Sequence, residues 1–307
     1  MSDAPSRFSP DPQLLYTPRP APRPRYWLHL LLFLVTLGTT FLVYGAGYAG
    51  CVVLILLSHE MGHYLTCRYY RVEASLPYFL PGPPLISLGT FGAVIRIRAP
   101  FPTRTACFDI GAAGPLAGMV VAVPILIWGI LTSPIGTVEG HPGLLLGAPL
   151  LMNGLTALLR DPIPEGHHLI VNGPAFAGWV GLLVTFLNLL PAGQLDGGHC
   201  LYALFPRHHR RLSRWMVAAC AGFGVLGLIG ALPPVAWLPD PVYPLARFFG
   251  PAWLVWAGLV GFLLRFPHPP PLDPTVPLGA GRRWVAGLLL LIFLASSIPN
   301  PIQMTAP

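Results

Sequence analysis

The sequence predicts an all-α polytopic membrane protein of about six or seven transmembrane helices, with a small β-hairpin or sheet between the second and third. Three observations carry this expectation. The 307 residues are 54% hydrophobic and only 9% charged, with a mean hydropathy of +0.64. Soluble domains carry about 25% charged residues, and a water-facing surface needs that charge to stay soluble. Apolar stretches long enough to cross a bilayer recur along the chain. The basic residues, all 18 of them arginines, fall mostly on one side of those stretches.

Residues 1–25 are rich in Pro, Ser and Arg, lack apolar periodicity and read as a flexible cytoplasmic tail. Spans are expected at about 26–44, 46–67, 106–132, 174–204, 212–232, 249–266 and 283–299. The fourth exceeds the length a bilayer needs and should break near Pro191, which removes a backbone donor. With a cytoplasmic N-terminus and alternating spans, sixteen of the 18 arginines lie inside, and only Arg160 and Arg247 lie outside. This asymmetry supports the span count and a cytoplasmic N-terminus; the chain is expected in a bacterial inner membrane, with residues 26–205 as a membrane core and 206–307 as C-terminal transmembrane helices.

Two connections depart from plain loops. Residues 87–98 alternate and carry β-branched side chains, and Pro81-Gly82-Pro83-Pro84 precedes them as a turn. A β-hairpin at the cytoplasmic membrane face is expected. Residues 133–173 form an outer loop whose 147–159 part reads as a short interfacial helix. The five cysteines lie in or beside apolar segments without a CxxC pair, so they read as small apolar residues and not as a disulfide framework or thiolate metal site. The net charge of +7 is scattered and has no aromatic platform, which excludes nucleic-acid binding.

The chemistry concentrates at His59-Glu60-Met61-Gly62-His63. Four residues make about one helical turn, so both imidazoles leave one face and can hold one metal ion. Glu60 lies about 100° around the helix and can reach a water at the metal without ligating it. Cys51–Leu57 leads straight into the motif, which puts three ionisable groups in or near hydrocarbon. Each costs about 2.5 kcal/mol or more there unless paired, and a metal supplies the pairing. A catalytic site needs a third protein ligand. Asp196 is the best candidate, because the second and fourth spans both run inward and bring His59, His63 and Asp196 to similar depth. Asp109 begins the third span and reads as a helix N-terminal cap. His199 follows Asp196 by one turn. Arg207-His208-His209-Arg210-Arg211 reads as an inner charge cluster.

HEMGH in a transmembrane helix, followed far downstream by NLLPAGQLDGG in another, resembles the site-2 protease family of intramembrane zinc metalloproteases. The likeness covers about residues 45–205 and is greatest to the bacterial and plant chloroplast branch that lacks a PDZ domain. It implies one zinc ion held by His59, His63 and Asp196, with Glu60 as general base. It further implies that Asn188 contacts substrate or the tetrahedral intermediate, and that Gly114–Gly118 matches a family segment. The function expected is hydrolysis of a peptide bond within or near the transmembrane segment of single-span membrane proteins, inside the lipid bilayer. A divalent-metal transporter would need further polar stations along a path. An inactive scaffold would need a lost ligand or base.

Overall fold

The computed structural model describes residues 25–84, 87–137, 144–232, 246, 248–263, 268–300 and 302–304. The expected tail over 1–24 and the end of the sixth span over 264–266 lie outside the described residues. The described residues are mostly helical, with three two-stranded antiparallel sheets.

Helix α1 runs Tyr26–Tyr69 and is two helical segments in series. The break falls at Tyr44 and Gly45, where Gly45 has φ +77°, a left-handed conformation that a residue without Cβ adopts freely. Helix α2, Arg104–Thr132, begins at Thr103, whose side chain accepts from the Ala106 N–H. Asp109 is therefore not the cap expected from sequence. It sits in the second turn, where the Arg282 guanidinium grips it with two donors at 2.8 and 2.7 Å and the Tyr70 hydroxyl donates to it.

The outer loop contains α3, Leu150–Leu159, where a short helix was expected. It also contains β3 (Ile135–Thr137), paired with β5 (His167–Leu169), and β4 (Leu144–Leu146), paired with β6 (Ile302–Met304). The fourth span is not one kinked helix. It divides into α4, Gly173–Asn188, and α5, Asp196–Leu204, separated by seven non-helical residues that include Pro191. Helices α6 (His209–Gly230), α7 (Ala252–Leu263) and α8 (Ala280–Ala295) follow. By length and composition, α1, α2 and α6 can cross a membrane.

The hairpin of β1 (Tyr78–Pro81) and β2 (Thr90–Val94) is present but differently placed. It does not lie flat at the inner face. His29 Nδ1 donates to the Pro77 carbonyl, Thr39 to Gly89 and Tyr48 to Leu88, at 3.0, 2.6 and 2.7 Å. His29 and Thr39 are separated by about 15 Å of helix, so the hairpin reaches along roughly half the hydrocarbon thickness. Its polar backbone is buffered there by α1 hydroxyls, as lipid requires.

The core lies between the second half of α1, α2 and α4. Tyr48, Val52, Ile55 and Leu56 meet Ala122, Leu126 and Ile130, and Trp179, Val180 and Leu182 close the third side. Large apolar residues such as Leu34, Trp128, Trp215 and Leu291 face outward, as a lipid-facing surface allows. Backbone approach is closest between α2 and α4. A Cβ on Gly178 would stand 2.7 Å from the Leu126 Cβ. Gly178→Val is therefore expected to destabilise the protein by about 1–3 kcal/mol through overpacking, read as a lowered Tm in detergent.

Candidate metal centre

HEMGH occupies the inner part of α1, about 15 Å of helix before its end at Tyr69. His59, Glu60 and His63 are 3%, 6% and 7% exposed. Asp196 meets them as the first residue of α5, where an acidic side chain also favours the helix N-terminus. His59 Nε2 lies 3.1 Å from Asp196 Oδ2, His63 Nε2 lies 3.2 Å from Asp196 Oδ1, and the two Nε2 atoms are 3.2 Å apart. A tetrahedral ion bound at about 2.0–2.1 Å spaces its donors about 3.3 Å apart. The triangle has that size, and its donor set of two imidazoles and a carboxylate suits zinc.

The tautomer of His63 follows from its other nitrogen. Nδ1 stands 2.7 Å from the Ile110 carbonyl, which can only accept, so Nδ1 carries the hydrogen and Nε2 turns its lone pair inward. Asn188, the last residue of α4, places Nδ2 3.3 Å from His59 Nε2. Glu60 lies on the same turn of α1, buried beside the triangle.

Three glycines let these groups converge. A Cβ on Gly114 would fall onto the His63 imidazole, one on Gly118 would stand 3.2 Å from His59 Nδ1, and one on Gly111 would stand 3.1 Å from the Asp196 carbonyl. The spacing of three then four puts all three glycines on one face of α2. The sequence reading matched Gly114–Gly118 to a family segment without this reason for it. The signal was the period of the glycines. At Asp196 the following glycines act alike: a Cβ on Gly197 would meet the Leu189 carbonyl and one on Gly198 the Gly193 and Ala192 carbonyls. The loop into Asp196 is further fixed by α6, because His209 Nε2 donates to the Gly193 carbonyl at 3.2 Å and Ser213 accepts from the Gly193 N–H at 3.3 Å. His209 was expected in a charge cluster, whereas here it is buried.

A membrane protein with two histidines of one helical turn and a distant aspartate around one metal-sized space defines a class. Residues 47–230 match peptidase family M50, the site-2 protease family, and the chain belongs to it. It is 29% identical over 258 residues to "Probable zinc metalloprotease EGY1, chloroplastic" of Arabidopsis thaliana, covering 81% of this chain and 42% of that one. The rice protein of the same name (Oryza sativa subsp. japonica) is 32% identical over 248 residues, covering 79% and 38%. "Probable zinc metalloprotease EGY2, chloroplastic" of Arabidopsis thaliana is 29% identical over 271 residues, covering 84% and 43%. The chain thus spans about two-fifths of the length of these relatives. These relatives are named as chloroplast proteins, which overturns the bacterial inner membrane expected from sequence. Arginine asymmetry orients a chain across a bilayer but carries nothing that distinguishes one organelle's bilayer from another.

Gly114→Ala is expected to push the His63 ring out of the triangle and lower metal affinity by about 10–100-fold. Zinc retained by the purified protein against a graded chelator measures it.

Proposed function

We propose that the protein is an intramembrane zinc metalloprotease that cuts single-span membrane proteins within or near their transmembrane segments. One zinc ion is held by His59, His63 and Asp196. Glu60 is the general base, and Asn188 a substrate contact. The observation that supports this most is the metal-sized triangle of His59, His63 and Asp196 with the buried Glu60 on the same turn. The catalytic core is residues 26–205, and the later helices complete a bundle of six or seven spans.

When bound, zinc polarises the scissile carbonyl and acidifies water. Glu60 takes a proton from the attacking water and later delivers it to the leaving amine. The Asn188 amide donates towards the carbonyl oxygen as charge develops on it. A substrate helix must first unwind, which leaves backbone groups needing partners in lipid.

The hairpin supplies an edge for them. Beyond β2, Ser75 N–H donates to the Arg96 carbonyl and Arg98 N–H to the Glu73 carbonyl, so Arg96 and Arg98 turn their backbone groups to the 73–75 segment. Period-two alternation turns Ile95 and Ile97 to the other edge. An added substrate strand would pair along that edge, on the side of Ile95 and Ile97.

Glu60→Gln is expected to retain zinc but lose about 10²–10⁴-fold in cleavage, followed with a reconstituted single-span substrate. Undiminished cleavage in that variant sinks the mechanism. Ile97→Pro removes an edge donor and is expected to cut activity with zinc content unchanged, whereas full activity retires strand addition.

A further inference from the structure

A second group of metal-ligating side chains lies one turn beyond Asp196. Cys107 of α2, His199 of α5 and His268 of the segment before α8 bring one donor atom each within 4.8 Å of the others. Cys107 and His268 are buried, and His199 is nearly so. His199 Nδ1 is 2.7 Å from His268 Nε2, and Cys107 Sγ is 3.8 Å from the same nitrogen.

The roles of the atoms are constrained. His268 Nδ1 stands 2.8 Å from the Pro269 carbonyl, which only accepts, so His268 Nε2 bears a lone pair aimed at the other two groups. This is the same carbonyl-to-imidazole arrangement that fixes His63. Tyr202 stacks on the His268 ring at 4.2 Å and 8° and sets its plane. His209 is near but its Nε2 hydrogen is committed to Gly193. The segment carrying His268 is anchored independently, since the Leu272 and Asp273 N–H groups donate to the Phe101 and Pro102 carbonyls at 2.9 Å. All three ligands are thus held by different elements whose positions are fixed elsewhere.

We propose that Cys107, His199 and His268 form a second metal site, distinct from the His59–His63–Asp196 centre, that takes a borderline-soft divalent ion such as zinc. One thiolate and two imidazoles suit such an ion, with a fourth position left for water. Binding releases the Cys107 thiol proton and the His199 Nδ1 hydrogen shifts to Nε2. The nitrogen pair at 2.7 Å is a hydrogen bond in the metal-free arrangement, and it must open by about 0.6 Å to the donor spacing of a bound ion. The site joins α2, α5 and the 268–273 segment, so it clamps the helix that begins with Asp196. It stands on the cluster itself and not on the protease reading.

The test is titration of the metal-free full-length protein in detergent with cobalt(II). Two equivalents should bind, and one should give a near-ultraviolet sulfur-to-cobalt charge-transfer band, because the other centre offers only nitrogen and oxygen. His59→Ala should lose one equivalent and keep the band. Cys107→Ser and His268→Ala should each lose the band and keep the other equivalent, while Cys200→Ser should change neither. If the substituted proteins do not fold, X-ray absorption at the zinc edge of the unaltered protein decides: a sulfur scatterer supports the site, and a purely nitrogen and oxygen shell overturns it. One equivalent of cobalt without the band, or a band that survives Cys107→Ser, also overturns it.

Discussion

The structure depends on how closely α2 can approach the His59–His63 turn of α1. Histidine and glutamate side chains in an apolar interior are unfavourable unless each finds a partner, and here the partners come from three different helices. They reach one another only because α2 presents Gly111, Gly114 and Gly118 at the contact. Replacing hydrocarbon with bare backbone brings the Ile110 carbonyl to His63 and Asp196 to both imidazoles. Helix packing without a hydrophobic driving force relies on such small-residue faces, and in this protein the same face serves packing and chemistry together.

Much of this was legible in the sequence. HEMGH sets its own geometry through helical periodicity, and the structure brings Asp196 within 3.1 and 3.2 Å of the two imidazoles, as its matching depth suggests. The helix break between the first two expected spans falls at Tyr44 and Gly45, where the two apolar stretches meet. The failures have physical causes. Asp109 carries the signature of a cap, and only tertiary structure brings Arg282 to it across 173 residues. Hairpin alternation shows a strand but not its depth, which is set by hydroxyls on α1 that read as ordinary helix residues. His209 sits among arginines, so its burial against Gly193 has no local signal. Charge patterning predicts a sidedness and carries nothing about the identity of the membrane.

The cysteines illustrate a related limit. Without a CxxC pair, Cys107 reads as a small apolar residue, as it does by burial. Its neighbours in space are 92 and 161 residues away. Ligand sets assembled from single residues on separate helices leave no spacing to read, in contrast to the two histidines that share a turn.

The separation of 137 residues between His59 and Asp196 has a kinetic consequence. At about 5–20 residues per second, synthesis leaves the two histidines and Glu60 without their third partner for on the order of ten seconds. The nascent chain must tolerate an incomplete polar cluster in lipid over that interval. On the proposed reading, a chain that has not yet reached Asp196 lacks its third ligand and cannot cut its neighbours. Arg282 reaches Asp109 later still, which makes the docking of the last helix a late step in maturation.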